Sequence, residues 1–78
     1  MITDEQAKAW IATNVSRLMK ERGLTQVDLA AITGEQQRRI WRLANGLHLP
    51  SSAVIKRVAE ALETTVDELM AQPMLVES

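Results

Sequence analysis

Residues 26–46 read QVDLAAITGEQQRRIWRLANG. Apolar residues recur here at helical spacing on either side of Gly34, and none alternates with the period of a strand. So short a joint between two amphipathic helices forces a sharp angle, and glycine supplies the positive φ that such a turn needs. Counted from Gln26, the residues Leu29, Ala30, Gly34, Ile40 and Leu43 hold places four, five, nine, fifteen and eighteen. Small Ala30 lets the helices approach, and Ile40 with Leu43 anchors the second of them. At about 100° per residue, that anchoring turns Arg38, Arg42 and Asn45 outward, with Arg39 and Trp41 on the flanks. A helix held along one edge and showing Gln36, Gln37, Arg38 and Arg42 elsewhere suits insertion into a major groove. Glutamine pairs bidentately with adenine and arginine with guanine, and either can hold phosphate.

Outward from this pair the pattern stays helical. A first helix is predicted over about Asp4–Arg22, with Ile11, Val15, Leu18 and Met19 on one stripe. Thr3 and Gln6 have capping-box spacing, and Gly23 stops the helix. The second starts at Thr25 with Asp28 at its third position, followed by apolar Val27, Leu29, Ala30 and Ile32. The third runs from about residue 35 to Asn45, where Asn45-Gly46 ends it. Leu47–Pro50 is a loop, since the residue before a proline is biased away from helix. Ser51 caps a fourth helix with Val54, Ile55, Val58, Ala59 and Leu62 inward. A capping box at Thr65–Glu68 opens a short fifth helix through about Ala71, and Pro73 ends it. The expected fold class is all-α, a compact five-helix bundle.

Composition sets the limits. The chain has 78 residues and reads as one domain over 1–78. A chain this short buries only about 60–65% of its unfolded surface. No cysteine is present, so stability must come from packing, as suits a reducing cytoplasm. The only aromatic residues are Trp10 and Trp41, leaving an aliphatic core. Met1 is followed by ITDEQ, which has neither the basic start nor the apolar block of a secretory signal. The apolar runs fall far short of the ~20 residues that cross a bilayer, so no membrane partner is expected.

The net charge of -1 conceals a polarised chain. Residues 17–57 hold eight cations against Glu21, Asp28 and Glu35, a balance of +5. Residues 58–78 hold five anions and no cation, a balance of -5. For a polyanionic partner the sign of one face matters more than the total. Charge segregation on solvated helix faces is the plainer alternative. Catalysis has little to stand on. His48 is the one histidine, in a loop beside proline, and without cysteine it supports no zinc cluster. Neighbouring Asp67 and Glu68 fall on different sides of a helix and suit its positive end. No glycine-rich phosphate loop occurs, and no enzyme, metal or cofactor is expected.

The run RLMKERGLTQVDLAAITGEQQRRIWRLANG, a proline loop and VIKRVAEALETTVDELM together resemble the lambda-repressor/Cro (XRE-type) helix-turn-helix DNA-binding family. The likeness covers about residues 14–70, leaving an extension at 3–13 and a tail at 72–78. GLTQ, the Leu-Ala pair, the glycine, Asn-Gly and ALxxxxDEL all fall in register. The resemblance implies a phosphate contact at Gln26 and base reading by Gln36, Gln37, Arg38 and Arg42, with Trp41 beside them. It implies backbone contacts at Asn45 and His48, and a homodimer on paired half-sites about one helical turn apart. Arg39, on the flank, is open between phosphate and solvent. Trp41 lies either at the DNA edge or against a neighbouring loop.

Departures from the family pattern carry their own expectations. Thr33 stands where an aliphatic residue is usual and is expected to cap the third helix, with Gln36 at its third position. Glu35 would favour the positive helix end, yet it places an anion near DNA phosphates. Met19 and Ala44 replace a common ion pair with apolar groups, a change that can be neutral or stabilising. Ser52 stands where an aliphatic residue is frequent. Trp10 and the apolar tail residues Met70, Met74, Leu75 and Val76 are either packed ends or subunit contacts. Two functions remain: a sequence-specific DNA-binding regulator of repressor type with double-stranded DNA as its partner, or a protein-interaction module on the same scaffold.

Overall fold

The structure is a computed structural model that describes residues 1–74. Five helices follow in order: α1 (Asp4–Arg22), α2 (Gln26–Thr33), α3 (Gln37–Ala44), α4 (Ser52–Ala61) and α5 (Val66–Leu69). No strand occurs among the described residues, so the class is all-α as expected. None of these helices is long and apolar enough to cross a membrane.

Local chemistry sets most helix ends. Thr3 Oγ1 accepts the Gln6 backbone N–H at 3.1 Å while Gln6 Oε1 accepts that of Thr3 at 2.9 Å, closing the box at the head of α1. Thr25 and Asp28 do the same for α2, and Ser51 caps α4 through the Val54 N–H. Gly23 ends α1 at φ 66° and Gly34 ends α2 at φ 75°, the left-handed conformation that costs other residues a clash.

One core gathers Ile11, Val15 and Met19 from α1, Leu29 and Ala30 from α2, and Ile40 and Leu43 from α3. Val54, Ile55, Val58, Ala59 and Leu62 from the α4 segment and Leu69 from α5 complete it. Burying such an aliphatic side chain is worth roughly 1.5–3 kcal/mol. Leu18 and Ala44 are half-buried against this cluster, and Met19 lies within it. The apolar pair that replaces the family's ion pair is thus absorbed by packing. Ser52 is exposed and withdraws nothing from the core.

Three boundaries differ from the sequence reading, and Thr33 explains the first. It is buried in the last turn of α2, where its hydroxyl donates to the Leu29 carbonyl at 2.7 Å. Its oxygen accepts the Glu35 N–H at 3.3 Å, bridging the turn. It therefore does not cap α3, which starts at Gln37 with Gln36 as a cap lacking a side-chain hydrogen bond. At its other end α3 stops at Ala44, with Asn45 already outside helical geometry. α5 stops at Leu69, short of Ala71. Asn14, buried on α1, donates through Nδ2 to the carbonyls of Leu69 at 2.8 Å, Ala71 at 2.9 Å and Glu68 at 3.2 Å. The Leu69 and Ala71 carbonyls are thus bonded to α1, the Glu68 carbonyl also accepts the Ala71 N–H at 3.3 Å in a last turn, and Pro73 has no N–H to offer Leu69.

Two side chains expected among the apolar helix positions face out instead. Val27 and Ile32 are exposed, because Leu29, Ala30 and Thr33 form the buried side of α2. Trp10 is half-buried. Met70 is half-buried against the core and Met74 is exposed, while Leu75 and Val76 lie outside the described residues.

Candidate nucleic-acid interface

α3 is held to the body along one edge only. Ile40 and Leu43 are fully buried, and α1 and α2 both pack against the helix. Gln37, Arg38, Arg39, Trp41, Arg42 and the capping Asn45 are all exposed. Residues four apart on a helix lie one above the other. The exposed surface therefore carries two strips, Arg38 with Arg42 and Gln37 with Trp41. Asn45 continues the second strip, and its Nδ2 donates to the Trp41 carbonyl at 2.8 Å. Its backbone N–H reaches the same carbonyl at 3.1 Å. Gly46, at φ 73°, then turns the chain into the loop that carries exposed His48.

Gln36, Arg38, Arg39, Arg42 and His48 line a cleft of about 190 Å³ between α3 and this loop. Five of the nine residues expected at an interface are thus brought together around one polar hollow. Gln37 and Trp41 lie beside it on α3, and Asn45 caps that helix. Gln26 does not line this cleft; it is half-buried in the first turn of α2. Trp41 is 49% exposed, which sets it on the surface rather than in the core.

Glu35 lies beneath this surface. Its side chain is only 10% exposed, and it accepts from Arg39 Nη1 at 3.1 Å and from Arg57 Nη2 at 2.8 Å. The Arg57 hydrogen bond, followed by the charge and hydrogen bond of Arg39, holds the Glu35 carboxyl below its ordinary range against the cost of burial. Spacing along the sequence could reveal the Arg39 contact, four residues away. It could not reveal Arg57, which comes from α4, 22 residues on. Glu35 directly precedes the cap of α3, and its carboxylate links Arg39 of α3 to Arg57 of α4.

A short glycine joint, a packed first helix and a second helix presenting polar side chains outward define a helix-turn-helix domain. The helix-turn-helix family HTH_3 matches residues 15–69, and the chain belongs to this XRE-type family. Among solved structures it is similar to an HTH_3 family transcriptional regulator from Vibrio cholerae, with a TM-score of 0.79 and 28% identity. That match covers 86% of this chain and 38% of the Vibrio protein, so the likeness concerns well under half of that regulator. No curated protein matches the chain.

Proposed function

We propose that this chain binds double-stranded DNA sequence-specifically, as a single DNA-binding domain of a cytoplasmic transcriptional regulator. In this reading α3 enters the major groove. Gln37, Arg38 and Arg42 meet base edges, with Gln36 at the helix head and Trp41 beside them. Gln26, Arg39, Asn45 and His48 hold the backbone, fixing the register that base contacts require. The chain acts as a homodimer on two half-sites about one helical turn apart. Occupying an operator this way blocks access to it, which makes repression the simplest outcome. The observation that carries the proposal is the exposed array of glutamine and arginine on a helix whose other edge is anchored by Ile40 and Leu43. Membership of a DNA-binding family supports it.

The exposed acid groups Glu60, Glu63, Asp67 and Glu68 around α4 and α5 favour a second reading, in which that end binds a protein partner. Fluorescence anisotropy of labelled random-sequence duplex at several salt concentrations separates the two. DNA binding requires log affinity to fall linearly with log salt, by about 0.9 per phosphate neutralised. Absence of binding even at low salt removes the first reading and leaves the second.

A further inference from the structure

The Glu35 cluster extends the charged surface beyond α3. Arg39 and Arg57 remain 52% and 48% exposed, although each donates to the same carboxylate. A guanidinium has five N–H donors. Each of these hydrogen bonds to Glu35 uses one, and the exposed remainder faces solvent. Arg39 also lines the cleft shared with Arg38, Arg42 and His48. Arg57 is therefore coupled, through one carboxylate, to a side chain of the candidate interface.

We propose that Arg39 of α3 and Arg57 of α4, bridged by the Glu35 carboxylate, form a phosphodiester-binding site with Glu35 as its internal counter-ion. The site rests on the DNA-binding reading above and adds to it a residue from α4. Two cations and one anion leave the cluster a single positive charge. A DNA phosphate reaching it takes the donors left free but shares the two guanidinium charges with the carboxylate, since both are oxyanions that arginine holds. Glu35 thereby holds down the part of affinity that any duplex receives, while base contacts by α3 are untouched. The ion pairs also fix where the two arginines stand, so the competition occurs at one place along the backbone.

Glu35→Gln keeps the shape and removes the charge. On random-sequence duplex it is expected to bind more tightly than the parent. One further neutralised phosphate steepens the log–log salt slope by about 0.9, equivalent to about eightfold in affinity at 0.1 M salt relative to 1 M. Arg57→Gln should then cost more affinity in the Glu35→Gln background than in the parent, because only there is Arg57 released from its internal partner. Thermal unfolding of each variant verifies that it is folded. Should Glu35→Gln fail to fold, Arg57→Gln alone still decides, since it must weaken random-duplex binding. Unchanged or weaker binding by folded Glu35→Gln, equal costs of Arg57→Gln in both backgrounds, or no cost at all would overturn the site. If the parent itself binds no duplex at low salt, the DNA-binding reading fails and this site fails with it.

Discussion

Gln37 and Arg42 are presented by a helix whose opposite edge is fully buried. Ile40 and Leu43 pack that edge into the core, which sets the side of α3 that faces out. If each reads a base, Gln37→Ala or Arg42→Ala loses roughly 1–3 kcal/mol of discrimination at one position of the site. Competition binding against single-base variants measures this. A loss spread evenly over all sequences would reassign the residue to phosphate contact. Glu35 gives a second result at this scale. Its folded carboxyl titrates below the ordinary 4.5, so its pairing stabilises the fold fully above that value and is lost as pH falls further. Asp28, held down first by the Thr25 backbone N–H and then by the Thr25 hydroxyl, adds a similar loss starting below 3.8. Melting temperature should therefore drop below about pH 4.5, and Glu35→Gln should flatten the upper part of that decline. Parallel curves for the parent and the variant would show that the ion pairs contribute nothing to the fold.

Among the elements, the α2–α3 joint and the end of α5 respond to substitution for different reasons. A Cβ at Gly34 would meet no atom within 4 Å, so Gly34→Ala is penalised only through its φ of 75°. The expected destabilisation is about 1–2 kcal/mol, with the folded structure unchanged. Urea unfolding measures it, and a much larger loss would point to a contact at the turn. Asn14→Ala leaves carbonyls at the end of α5 without their donor, and is expected to cost about 1–3 kcal/mol. Amide hydrogen exchange should then accelerate in α5 before the other helices; uniform acceleration would mean that α5 is not separately fastened. These two joints also mark how far the sequence was legible. Capping residues act three positions apart, so Thr3 and Thr25 announced full capping boxes; Thr65 announced its cap, but Glu68 accepts from the Thr64 hydroxyl instead of closing the box. The end of α5 depends on Asn14, more than fifty residues upstream, and no local spacing reveals it. The start of α3 depended on whether the Thr33 hydroxyl would bond forward or back into α2, a choice made by its burial.

Over the whole molecule, charge is arranged with direction. The exposed cations of α3 lie in the +5 segment, and the exposed anions of α4 and α5 lie in the -5 segment. A polyanion is attracted by the first group and repelled by the second, so the net charge of -1 does not describe what it meets at α3. The candidate surface was readable in outline, because Ile40 and Leu43 fix which side of α3 faces out. Its electrostatics were not, because Glu35 is neutralised by a cation from another helix. The most direct measurement of DNA reading by α3 is selection of binding sites from a random duplex pool, followed by sequencing. The expected result is an enriched motif of two inverted half-sites whose centres lie about one helical turn apart. A pool that shows no enrichment after repeated rounds at low salt would contradict it.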